Sequence, residues 1–279
     1  MNINVAIVGK PNVGKSTFFN KIFNSNISKV SDMPGTTKSA IEKHIFYNNK
    51  KIFFFDTGGL KKKSKSNNAE QNYINKECLS AINKSSIVIF MMDASHSFTK
   101  NDKQICRLVL NKFKTLIVII NKSDLIKRKI GEKKKYFNYY FENLFSDILI
   151  KPYFFSSTDN TSTEYFIKKV CSLDESSKNL IENKKLNEFL IKINSLHKAP
   201  FKGKFRPKIK FLKQVNTQPI ILKAFGSRLL GINKDYKNFF LKQYLLHFNI
   251  YNKVAIIKFV NTKNPFDQTV PNPSFKRDN

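Results

Sequence analysis

Gly9-Lys10-Pro11-Asn12-Val13-Gly14-Lys15-Ser16 follows directly on the apolar run Val5-Ala6-Ile7-Val8, and its reading decides the fold. The spacing is G-x-x-x-x-G-K-[ST], a phosphate-binding loop between a buried strand and a helix that starts at Lys15. Gly9 and Gly14 let the backbone wrap closely around a polyphosphate, with successive N–H groups aimed at its oxygens. Lys15 then reaches the β/γ-phosphates, and the Ser16 hydroxyl is placed to ligate Mg²⁺. The helix N-terminus behind the loop favours an anion in its own right.

Two further strand ends follow in order. Ile52-Phe53-Phe54-Phe55-Asp56-Thr57-Gly58-Gly59 reads as a strand closing in D-x-x-G. Asp56 sits where a carboxylate holds Mg²⁺ through water, and the Gly59 N–H meets the γ-phosphate because no side chain blocks it. Leu116-Ile117-Val118-Ile119-Ile120-Asn121-Lys122-Ser123-Asp124 is a second buried strand, closing in N-K-x-D. The Asp124 carboxylate accepts two hydrogen bonds from the N1–H and N2–H₂ edge of guanine, which adenine lacks. A site built on such a pair discriminates strongly against the wrong base. The three motifs together predict a GTP/GDP site with Mg²⁺.

The same pattern extends along the chain. Strands are expected near 3–8, 41–48, 51–56, 86–92, 115–120 and 152–155, with helices near 15–24, 73–84, 100–111, 132–143 and 161–172. Such alternation predicts an α/β domain, a mostly parallel, doubly wound sheet whose motif-bearing loops lie at the carboxyl ends of the strands. Residues 172–185 are polar and without periodicity, which suits a linker. The remainder reads helix (186–196), strand (208–215), strand (220–225), helix (235–248) and strand (254–260). That αββαβ order is compatible with a small α+β, KH-type RNA-binding domain.

Asp32-Met33-Pro34-Gly35-Thr36-Thr37, with Asp56-Thr57-Gly58-Gly59-Leu60-Lys61-Lys62-Lys63-Ser64-Lys65, resembles the Der (EngA) GTPases, whose usual pattern is two G domains followed by a KH-like domain. The basic run after D-x-x-G resembles the second of those G domains. Gly203-Lys204, Gln218-Pro219 and Asn264-Pro265-Phe266 are similar to the family's C-terminal domain. The resemblance implies a G domain over 1–172 and a KH-like domain over 186–266, and the chain's own pattern adds a linker over 173–185 and an expected disordered tail over 267–279. It implies that Thr37 ligates Mg²⁺ while the γ-phosphate is present, and that Ser156-Ser157 forms the last guanine loop. The chain departs from the family in having one phosphate loop, Lys38 for the usual Arg after G-T-T, and Ser123 for the usual Trp of N-K-W-D.

Leu60 stands where Ras-like switches place the glutamine that orients the attacking water. In GTPases related to Der, an asparagine at the position of Asn12 helps to hold K⁺ near the β/γ-phosphates. Asn12 is thus either a K⁺ ligand or an ordinary turn residue. The expected catalytic set is Lys15, Thr37 and Asn12. Lys61-Lys62-Lys63-Ser64-Lys65 reads equally as a solvated loop or as a phosphate contact to RNA. The aromatics of the C-terminal part fall mostly on core positions, so packing is favoured over base stacking. Gly226-Ser227-Arg228-Leu229-Leu230-Gly231 lacks the G-x-x-G spacing of ordinary KH modules.

Net charge is +30, but a Lys-, Asn- and Ile-rich chain with five Arg and no Trp carries a coding bias as well. Distribution argues better than the total. Residues 184–279 hold 20 Lys+Arg against 4 Asp+Glu, while residues 1–183 hold 30 against 16. A doubly basic C-terminal part is the footprint of a polyanion binder. Cys78, Cys106 and Cys171 are widely spaced and suit buried thiols in a reducing, cytoplasmic setting. No apolar run is long enough for a membrane span. With the resemblance, the expected function is a monomeric GTPase of ribosome assembly that binds ribosomal RNA and subunit precursors, chiefly of the large subunit. An Era-like small-subunit factor and a non-hydrolysing, nucleotide-gated RNA-binding module are the alternatives.

Overall fold

The computed structural model describes residues 2–24, 29–31, 41–56, 76–145, 147–156, 162–175, 179–201 and 203–262. Its first sheet is built from β1 (Asn2–Gly9), β2 (Lys29–Ser31), β3 (Ile41–Tyr47), β4 (Lys50–Asp56), β5 (Ile87–Asp93), β6 (Thr115–Asn121) and β7 (Tyr153–Phe154). The spatial order is β2-β3-β4-β1-β5-β6-β7. From β4 to β7 every pairing is parallel, and β2 and β3 extend the β4 edge antiparallel. Asn48 and Asn49 both have positive φ (46° and 59°), the backbone a two-residue type I′ hairpin needs between β3 and β4.

β5 and β6 are buried at every position, as expected of strands covered on both faces. On one face pack α2 (Lys76–Lys84), α3 (Lys100–Asn111) and α4 (Ile130–Leu144), through Ile82, Ile105, Val109, Phe137 and Phe141. The other face holds α1 (Lys15–Phe23) and α5 (Ser162–Glu175), through Phe18, Ile22, Phe166 and Val170. Alternation along β1 serves both sides, with Ile3, Val5 and Ile7 on one core and Ala6 and Val8 on the other. This is the doubly wound sheet expected from the sequence.

The C-terminal part contains α6 (Asn183–Leu196), β8 (Lys208–Thr217), β9 (Ile220–Ser227), α7 (Lys234–His247) and β10 (Ala255–Asn261), in the expected αββαβ order. β10 pairs parallel with β9, and β8 antiparallel. Leu186, Phe189 and Ile193 of α6 meet Phe240, Tyr244 and Leu245 of α7 over one face of that sheet. Helix α5 continues to Glu175, past the expected end at 172, because Leu173 is still buried against the first core. Short β2 and a 3₁₀ turn at Ser123–Lys129 were not legible in the sequence. Residues 264–266 and the tail 267–279 lie outside the described residues.

The two parts touch through main-chain hydrogen bonds. Leu116 N donates to Asn252 O (3.0 Å), Asn252 N to Leu149 O (2.7 Å) and Ala255 N to Asp147 O (2.9 Å). Val254 lies in the core cluster formed with α2, α3 and α4. All of these contacts are at the amino ends of the first sheet's strands.

Candidate nucleotide site

At the opposite, carboxyl end, β1 delivers Gly9 beside β5. A Cβ on Gly9 would stand 2.2 Å from Met91 O, and φ is +150°. The chain then turns through Asn12 (φ 63°) to Gly14 (φ 93°), which caps α1. A Cβ on Gly14 would stand 2.3 Å from Asn121 Nδ2, so only glycine leaves this cradle open. Helix α1 has no acidic residue in its first turn and no side-chain cap, which leaves its positive end to a ligand. Phe18, on the first turn, packs edge-on against Phe155 (4.9 Å) and Phe166 (5.1 Å) and fixes the helix to the sheet.

Lys15 is buried, and its Nζ donates to Gly9 O (2.9 Å) and Lys10 O (2.6 Å). The ammonium therefore sits inside the curve of the loop. Asn121, at the end of β6, donates from Nδ2 to Val13 O (2.8 Å) and so ties the N-K-x-D strand to the phosphate loop. Its Oδ1 is buried and has no hydrogen-bond partner among the described residues. Such an orphan acceptor together with the open glycine cradle fits a bound nucleotide.

Lys122 adopts a left-handed backbone (φ 58°), and its Nζ lies 2.7 Å from Asp93 Oδ2. Asp93 also accepts from Ser95 N (2.9 Å) and Ser95 Oγ (2.6 Å). Burial pushes this carboxyl's pKa up, but the Lys122 and Ser95 hydrogen bonds outweigh it and hold the group below the usual carboxylate range. Ser156 Oγ donates to Asp124 Oδ1 (2.6 Å), and Ser123 donates to Phe155 O from both N (3.1 Å) and Oγ (3.0 Å). The Asp124 carboxylate is thus pinned to the loop after β7 (Tyr153–Phe154).

Lys10 Nζ is 2.8 Å from both Asp102 Oδ2 and Thr99 Oγ1, the two residues that make the capping box of α3. Between the phosphate loop, the end of β5 and α3 lies a cavity of about 480 Å³. Asp93, Thr99 and Asp102 lie outside the three sequence motifs. Asp93 closes a buried apolar strand, and T-x-x-D is a helix-start pattern, so both signals were present.

The expected residues Gly9, Lys10, Pro11, Asn12, Val13, Gly14, Lys15, Ser16, Asn121, Lys122, Ser123, Asp124 and Ser156 gather at this one end of the sheet. Asp56 ends β4 opposite Ile7 of β1, which brings its backbone to the same crevice. Thr37, Thr57, Gly58, Gly59, Leu60, the Lys61 to Lys65 run and Ser157 lie outside the described residues. Among the described residues there is no cluster of three His, Cys, Asp or Glu side chains suited to a metal. No helix among them is long and apolar enough to cross a membrane.

Residues 4–122 match a family described as a 50S ribosome-binding GTPase. Residues 181–260 match the KH-domain-like C-terminal part of EngA bacterial GTPase enzymes. The GTPase Der of Mycoplasma capricolum is 34% identical over 86% of the chain, and that of Orientia tsutsugamushi 29% over 95%. The chain belongs to the Der (EngA) family. It spans about half the length of these Der relatives, 55% and 59% respectively. The Era protein of Aquifex aeolicus, in a crystal structure with GDP and AlF₄⁻, is 20% identical with a TM-score of 0.46, covering 93% of each chain. Within Der, the pairing of a G domain with a KH-like unit agrees with the two parts seen in this chain.

Proposed function

We propose that the chain binds GTP and hydrolyses it with Mg²⁺ as a switch in ribosome assembly, most directly of the large subunit. The observation that carries this is the bonded constellation Val13–Asn121 and Asp124–Ser156, which holds the phosphate loop and the base-reading loop in one crevice. Lys15 neutralises phosphate charge, and Asp124 reads guanine. Ser16, Thr37 and Asp56 are the expected Mg²⁺ ligands, and Mg²⁺ supplies charge for phosphoryl transfer. Asn12, exposed on a left-handed turn of the loop, is the proposed K⁺ ligand. In this reading the G domain covers 1–172, the linker 173–185 and the KH-like domain 186–266. The basic C-terminal part docks on ribosomal RNA in the cytoplasm, as a monomer.

The test is sedimentation of ribosomal subunits with the chain in the presence of GDP or a non-hydrolysable GTP analogue. Cosedimentation with large subunits only in the analogue supports the reading, and none in either nucleotide removes it. Turnover in KCl and NaCl at equal ionic strength tests the K⁺ ligand. K⁺ stimulation should disappear in Asn12→Ala, and a K⁺ preference that survives the substitution refutes it.

A further inference from the structure

The nucleotide site does not use the open face of the sheet formed by β8, β9 and β10. Helices α6 and α7 pack on the other face, through the core that holds Leu212, Leu222 and Ala224. Strand register sets Lys213 opposite Lys223, and Lys223 opposite Lys258. Two residues further along, it sets Phe211 opposite Phe225, and Phe225 opposite Val260. Side chains two apart share a face, so a row of three lysines lies directly beside a row of apolar side chains. The rings of Phe211 and Phe225 stack at 4.5 Å with their planes 9° apart. Phe211 is 42% exposed and Val260 37%, on the two edge strands β8 and β10 that flank β9. Beyond them, Arg228 lies 3.9 Å over the ring of Phe205.

Neighbouring strands are about 4.8 Å apart, so the three lysines leave the sheet within a width of about 10 Å. Like charges directly opposite one another destabilise a sheet. Among the described residues no carboxylate pairs with any of the three. An anion laid across the row would remove the repulsion, and an exposed aromatic stack beside it offers a surface for a base. Gly226 is needed where β8 and β9 close up, since a Cβ there would stand 2.0 Å from Lys208 O.

We propose that this open face is a platform for single-stranded RNA, with phosphates on Lys213, Lys223 and Lys258 and a base added to the exposed end of the stack at Phe211. The proposal rests on the reading above that RNA is the partner. A single strand fits better than a duplex because stacking requires an unpaired base with its face free.

The experiment uses the full chain and a fluorescently labelled oligouridine of about 16 nucleotides, titrated by anisotropy over a range of NaCl. The triple variant Lys213→Ala/Lys223→Ala/Lys258→Ala should flatten the slope of log K against log salt by about 2, at about 0.7 per lost contact. Phe211→Ala should weaken binding about ten-fold at fixed salt and leave the slope alone. A control triple, Lys103→Ala/Lys112→Ala/Lys135→Ala, should change neither. GTP affinity should be the same in all of them. Wild-type affinity and slope in the first triple variant overturn the proposal, including the case in which a protein segment occupies the face. Cosedimentation with ribosomal subunits, run in parallel, separates the two ideas. If wild type and triple variant cosediment equally, the platform fails and the partner reading stands; if wild type does not cosediment, the partner reading itself fails.

Discussion

Asp124 illustrates what a single residue does here. Its carboxylate accepts from Ser156 Oγ at 2.6 Å, which fixes one of its oxygens. Asp124→Asn replaces an acceptor with a donor against the guanine edge and should weaken GTP binding by about 2–4 kcal/mol. Isothermal titration with GTP and ATP checks this, and equal affinity of the wild-type chain for the two nucleotides would sink the claim. The N-K-x-D pattern announced Asp124 from the sequence alone. The partner of Lys122 was not announced. Asp93 and Lys122 are far apart in the chain, and only the parallel pairing of β5 with β6, Asp93 opposite Asn121, brings the carboxylate to the ammonium.

Helix α3 shows how an element is started and then used. Thr99 accepts from Asp102 N, Asp102 accepts from Thr99 N at 2.8 Å, and the apolar face Ile105, Cys106, Val109 and Leu110 is buried against the sheet. The same Asp102 carboxylate holds Lys10 of the phosphate loop. Asp102→Ala therefore removes both the cap and the loop's anchor. The cap alone should cost about 1 kcal/mol. GTP affinity should fall as well, because the loop loses its tie to α3. Urea unfolding and nucleotide titration read the two effects separately; a stability loss with unchanged GTP affinity would show that the Lys10 contact is incidental. Long apolar strands and amphipathic helices were legible because their burial repeats along the sequence. The three residues of β2 were not, since so short an edge strand is made by its pairing with β3 rather than by its own pattern.

At the scale of the molecule, the contact between the two parts lies at the amino ends of β5 and β6, away from the nucleotide loops. Lys253, in the segment that crosses this contact, is 5% exposed. Burial lowers its pKa to about 8, against the smaller opposing pull of Asp174. A lysine whose folded value lies below its unfolded one of about 10.4 disfavours the folded state fully below pH 8. The penalty fades as pH rises from about 8 toward 10.4, so stability should increase over that window. Between pH 7.5 and 9.5 the gain should be about 2 kcal/mol or less, and Lys253→Met should abolish it. Urea midpoints of both proteins at the two pH values provide the measurement. An identical pH response in Lys253→Met would locate the effect elsewhere.

The sequence by itself determined the phosphate loop, the order of the longer strands and helices, and the αββαβ succession of the C-terminal part. Each of these depends on residues close together in the chain, where φ, burial period and hydrogen-bond chemistry act over a few positions. Tertiary structure alone decided which distant side chains meet. It brought Asn121 to Val13, Asp93 to Lys122 and Asp102 to Lys10, and it aligned Lys213, Lys223 and Lys258 on one face. Apart from Lys213 and Lys223, which the β8–β9 hairpin joins, these meetings depend on strand register and packing between segments far apart in sequence. Outside hairpins, whose turns set the pairing, no local pattern encodes a register between distant strands, because it is chosen by which two buried faces fill space together.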